Sequence, residues 1–184
     1  MRKVIFLFLL IMSLSGNVYA DDRTVYCEIE DKNAVTYYVR SMNSGWGFKY
    51  YKFFVKYVDS NGNVDYWFRI SQSSKGRFLY NLGIEVNNQK YELDLVKNPT
   101  YAQIYSGTDK FPNSFETSYA IYHIPQNIIN EIMKTNEPII LYINKQNRQE
   151  MKMNSDKEFT EAIHKIIGLD YSNKSEYWQP NVLD

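Results

Sequence analysis

Two groups of side chains in this sequence have types and spacings that invite chemistry. Cys27 is the single cysteine among 184 residues, and His123 and His164 are the two histidines that could serve it as a base in a hydrolase. The surroundings of Cys27 argue otherwise. It alternates with Val25 and Ile29 along TVYCEIE, so a strand there places it as a small hydrophobe on an apolar face. His123 closes a predicted strand before Pro125, and His164 stands one position off the apolar face of a predicted helix. Two histidines at unrelated spacings, outside any H-E-x-x-H pair, do not make a zinc site, and no metal is expected.

The second group is VDSNGNVDYW, residues 58–67, which offers oxygen ligands at Asp59, Asn61, Asn63 and Asp65. A calcium loop of the EF-hand kind wants glycine at its sixth position and a bidentate glutamate at its twelfth; counting from Asp59, these are Val64 and Ile70. A hairpin accounts for more of the sequence. With Asn61-Gly62 as the central residues of a type I′ turn, Tyr57 faces Tyr66, Val55 faces Phe68 and Phe53 faces Ile70 on one side. On the other side Val58 meets Asp65, Lys56 meets Trp67 and Phe54 meets Arg69. That register predicts a patch of Trp67, Phe54, Lys56 and Arg69 opposite the core, with a tryptophan flanked by cations and able to stack on a sugar or a peptide. These four are the candidate ligand-binding residues. Trp46 and Trp178 lie in glycine- and proline-containing surroundings and are equally open to core or surface roles.

No G-x-S-x-G elbow, S-x-x-K, phosphate loop or G-x-G-x-x-G fingerprint occurs, and no cofactor is expected. The first twenty residues have the form of a secretory signal: Arg2 and Lys3, an apolar run from Val4 to Leu14, and Val18-Tyr19-Ala20 ahead of the cleavage point. The run is shorter than the roughly 20 residues that span a bilayer, so cleavage is expected and no transmembrane segment afterwards. Without Arg2 and Lys3, 19 basic side chains remain against 21 acidic ones, a charge of about −2 that gives no reason to expect nucleic acid. Export is therefore expected, and the short signal without a sorting or anchoring segment favours the periplasm over the extracellular space. One cysteine cannot form an internal disulfide, so the fold must rest on packing.

The elements that would position these residues follow from periodicity and turn chemistry. Residues 21–184 suit a single domain. Seventeen tyrosines and ten phenylalanines favour strands, and six are expected before residue 97, arranged as a meander. A second hairpin turns at Asn87-Asn88, pairing Ile84 with Tyr91, Leu82 with Leu93 and Glu85 with Lys90. After Asn98-Pro99 and a loop at 106–114, a strand at 117–124 leads into a helix that starts at Pro125 and carries Ile128, Ile129, Ile132 and Met133. PIILYIN reads as a strand buried on both faces, with Gln149 to Met153 a candidate to pair back onto it.

Ser155 and Glu158 form a capping box ahead of Phe159, Ala162, Ile163, Ile166 and Ile167, and Gly168 is placed for a left-handed helix stop. The tail from about 170 to 184 lacks periodicity. The expected fold is α+β: an antiparallel, meander-rich sheet of six to eight strands, with helices near 126–135 and 155–167 packed on it. The expected function is an exported, non-catalytic binding or interaction domain for a protein, peptide or glycan. The competing expectation is a small exported hydrolase using Cys27 with His123 or His164.

Overall fold

The computed structural model describes residues 25–31, 33–45, 48–73, 81–106, 113–144, 150–154 and 157–177. The expected signal peptide, Ser155 of the capping box, Trp46 and Trp178 lie outside them. Among the described residues nine antiparallel strands form one sheet, more than the six to eight expected. They are β1 (Tyr26–Asp31), β2 (Ala34–Gly45), β3 (Phe48–Asp59), β4 (Val64–Ser73), β5 (Asn81–Val86), β6 (Gln89–Ser106), β7 (Asn113–His123), β8 (Ile140–Asn144) and β9 (Glu150–Asn154).

Their order, β1-β2-β3-β4-β7-β6-β5-β8-β9, is a meander only over the first four. β4 is then joined by β7 and not by β5, so β7, β6 and β5 are laid beside the first four strands in reverse order, and β8 and β9 continue beyond β5. β6 makes this possible because it is long enough to serve two neighbours. Its first residues pair with β5 through Leu93, and from Asp94 onward it pairs with β7. The strand runs through Pro99, where the sequence suggested an end, because register shifts between Leu95 and Thr100 leave that proline out of the ladder.

The sheet curls into a half-barrel. Helix α1 (Gln126–Ile132) follows β7, α2 (Lys157–Gly168) follows β9, and a 3₁₀ turn (Tyr171–Asn173) leads into α3 (Lys174–Tyr177). Pro125 is the N-cap of α1 rather than its first turn, and its carbonyl accepts from the Ile128 and Ile129 amides. Ile128, Ile129 and Ile132 of α1 and Phe159, Ala162, Ile163 and Ile166 of α2 enter one core with Tyr37, Val39, Phe54, Phe68 and Tyr122 from the sheet. This is the inner face. PIILYIN is covered more fully on one side than the other, with Leu141 and Ile143 fully buried and Ile140 and Tyr142 half-buried. β9 pairs back onto β8 across the whole of both strands.

Of the two hairpins expected from their turn residues, one forms in the expected register and the other does not. Asn87 and Asn88 have φ of 52° and 62°, both left-handed, and the pairs Ile84–Tyr91, Leu82–Leu93 and Glu85–Lys90 form as expected. The turn at Asn61-Gly62 is not type I′. Among its residues only Gly62 is left-handed, at φ 81°, and the register is Val58–Val64, Lys56–Tyr66, Phe54–Phe68 and Lys52–Ile70. The loop has three residues, 60 to 62, ending in a left-handed glycine. Asp59 enforces it: its carboxylate accepts from the amides of Asn61 and Asn63 at 2.8 and 2.9 Å and from the Asn63 side chain at 2.7 Å. Those hydrogen bonds hold the Asp59 carboxyl below its ordinary pKa, the Asn63 side chain contributing most. The slip is one residue, and it sends the side chains of one strand to the opposite face relative to the other.

Candidate functional site

The register divides the four predicted ligand-binding residues between two faces. Phe54 and Lys56 point inward and are 0% and 4% exposed, whereas Trp67 and Arg69 lie on the outer face. The expected patch of four does not form. The cation–ring pairing foreseen for the hairpin does occur, with different partners: Lys56 Nζ is 5.7 Å from the Tyr66 ring, and the Arg69 guanidinium is 5.3 Å from the ring of Phe53.

Lys56 closes a helix end. Its ammonium donates to the carbonyl of Ile167 at 2.7 Å and also to that of Leu169, at the C-terminus of α2. Carbonyls in the last turn of a helix lack intrahelical donors and carry the negative end of its dipole, so a buried cation is well placed there. Burial lowers the Lys56 pKa, and Asp170 opposes that shift. Gly168 consequently has no need of a left-handed conformation; it is the last helical residue, and the Leu169 amide donates to Ile166 O. The next residue is fastened as well, since the Tyr37 hydroxyl donates to Asp170 O at 2.8 Å.

Cys27 is 5% exposed on the inner face, opposite Tyr37 in the ladder. His164 lies on α2, where Nε2 is 2.7 Å from Ile132 O; a carbonyl can only accept, so this nitrogen carries the proton and caps α1. His123 is on the outer face, paired with Trp67 across β4 and β7. His123 thus lies on the opposite face of the sheet from the thiol, and the His164 Nε2 is taken by Ile132 O. Among the described residues no group of three His, Cys, Asp or Glu side chains is placed to hold a metal ion, and no helix is long and apolar enough to cross a membrane.

The outer face holds the residues that sequence reasoning missed. A single cross-strand row runs through Tyr26, Tyr38, Val55, Trp67, His123 and Asp94, from β1 to β6. Tyr26 and Tyr38 stack with centroids 5.0 Å apart, and Tyr57 leans toward Trp67 at 6.3 Å and 55°. His123 Nε2 lies 3.8 Å from Asp65 Oδ1, and those two side chains are 41% and 49% exposed. One row further, Arg69 is enclosed between Phe53 and Tyr119, 4.9 Å from the latter's ring. Among the described residues, the clusters on this face contain no helical residue. The signal that would have revealed the row is Asp59 two residues before Asn61-Gly62, since a side chain capping its own loop favours the three-residue turn. No family model, curated protein or solved structure matches the chain.

Proposed function

We propose that this chain is an exported, non-catalytic binding domain that takes its ligand on the outer face of the sheet, around Trp67. The observation that carries the reading is the cross-strand row itself. It presents a half-buried tryptophan beside two exposed polar groups, His123 and Asp65, on a face whose described clusters include no helix. Half-exposed aromatic rings with polar neighbours are the usual means by which a rigid sheet recognises a ligand without reacting with it. Of the four residues expected from sequence, Trp67 stays at the centre and Arg69 supports it from within the ring sandwich, while Phe54 and Lys56 serve the core. Export rests on the N-terminal sequence, whose basic start, apolar run and small residues suit signal cleavage.

The test is a glycan and peptide array probed with the labelled mature protein and with Trp67→Ala. The variant is expected to keep its far-UV circular dichroism and to lose the spots that the wild type binds. An unchanged binding pattern in the variant would remove Trp67 from the site.

A further inference from the structure

We infer that residues 170–177 form a strap over Cys27 and Tyr37 that swings away as a unit while the sheet stays folded. The strap consists of Asp170, the 3₁₀ turn and α3. It lies on the inner face, so the inference stands apart from the outer-face reading. β1 is an end strand of the sheet, and α3 packs against it. Cys27 on β1 and its ladder partner Tyr37 on β2 are both buried there.

The first reason is that the strap is organised from within. The Asp170 carboxylate accepts from the Ser172 amide at 2.7 Å, the Asp170 amide donates to the Asn173 side chain at 2.9 Å, and Lys174 donates to the Tyr171 hydroxyl at 2.7 Å. These bonds join residues no more than three positions apart, so they persist whether or not the strap rests on the sheet.

The second reason is shallow burial. From Asp170 to Tyr177 every side chain is half-buried or exposed, and Tyr171 and Tyr177 rest on the core without entering it. A segment that buries little apolar surface loses little by leaving, which places it at the low end of local stabilities.

The third reason is how the strap is fastened. The Tyr37 hydroxyl donates to Asp170 O at 2.8 Å, and the Tyr37 ring meets Tyr177 edge-on, with centroids 6.2 Å apart. Upstream, Lys56 holds the carbonyls of Ile167 and Leu169 and the Leu169 side chain is buried, so α2 stays docked. Asp170, with an extended backbone, is the first residue beyond that grip and supplies the hinge. Cys27 is hydrogen-bonded to Tyr37, so one displacement uncovers thiol and phenol together.

The experiment follows the reaction of Cys27, the one cysteine of the chain, with the aromatic disulfide reagent DTNB as urea is raised from zero. The slow labelling of the native mature protein is expected to be nearly independent of urea well below the unfolding transition, the mark of an opening that exposes little surface. Tyr177→Ala and Asp170→Ala loosen the strap without altering a residue of β1 or β2. Each should speed labelling by about tenfold, the size of one aromatic pair or cap, and leave the urea midpoint nearly unchanged. Gly62→Ala, in the turn between β3 and β4, should lower the midpoint and leave the labelling rate alone.

A rate that climbs from zero urea with the full slope of unfolding, or that Gly62→Ala raises in step with its loss of stability, would mean that Cys27 is reached only through global unfolding, and the inference falls. Strap variants that label no faster than the wild type, or rapid labelling of the wild type itself, overturn it as well. Should Tyr177→Ala unfold the chain, Asp170→Ala carries the comparison, and the urea dependence of the wild type needs no variant.

Discussion

The ammonium of Lys56 in β3 donates to the carbonyl of Ile167 at 2.7 Å, so the C-terminal end of α2 is closed by a side chain 111 residues earlier in the chain. The same ammonium reaches Leu169, and Tyr37 in the neighbouring strand holds the carbonyl of Asp170. Two adjacent strands thus fasten the helix end and the segment after it. Lys56→Met keeps the length of the side chain and removes the donor, which should cost about 1–3 kcal/mol by leaving buried carbonyls without partners. The urea midpoint should fall with an unchanged slope. A variant as stable as the wild type would show that the clasp contributes nothing.

The hairpin register predicts opposite outcomes for two aromatic residues that sequence alone assigned to one patch. Phe54 is fully buried, and Phe54→Ala should cost about 3–5 kcal/mol. Trp67→Ala, on the half-buried outer row, should cost clearly less and leave the sheet folded. Comparable losses in urea melts would place Trp67 in a core as well.

Gly62 has open space around its Cα, so only its backbone conformation resists substitution. Gly62→Ala should destabilise by about 1–2 kcal/mol, the strain of a left-handed residue with a Cβ, and Gly62→Asn by less. Equal stability of Gly62→Ala and wild type would contradict the three-residue loop.

Cys27, at 5% exposure beside Tyr37, should resist thiol reagents in the native protein and label quickly in denaturant. Rapid native labelling would revive the hydrolase expectation and displace β1.

Alkaline stability should be set by the buried phenols. Burial raises the pKa of Tyr37, Tyr122 and Tyr66 above the ordinary 10.0. Their contribution is complete below pH about 10 and is lost as pH climbs from there toward the folded values, because the unfolded chain releases those protons first. Lys56 acts in the opposite sense: its folded pKa lies below 10.5, and between the two values the unfolded chain holds the extra proton, so stability rises with pH. Above pH about 10.5 the lysine is neutral in both states and adds no further change, whereas the phenols still ionise first in the unfolded chain, so urea midpoints should drop there. Tyr122→Phe should flatten that fall; an unaltered pH profile would exclude the phenol as its cause.

Sequence by itself determined what depends on near neighbours. The Asn87-Asn88 turn and its pairs, the apolar face of α2, the burial of Cys27 on an apolar strand face and the α+β character all follow from local periodicity or from two residues that tolerate a left-handed backbone. The tertiary structure decided the rest. At Asn61-Gly62 two turns of similar local energy compete, and the outcome depends on the Asp59 carboxylate and on which register buries Phe54, Phe68 and Ile70 in the core they share with the helices. The choice relocated half of the expected site, because the side-chain period of a strand is two and a slip of one residue exchanges its faces. The insertion of β7 beside β4, and with it His123 beside Trp67 and Asp65, joins segments about 55 residues apart, beyond the range over which periodicity carries information. Lys56 looked like a surface cation because a lysine is rarely buried; only the arrival of a helix end with unmet carbonyls gave it a reason to be inside.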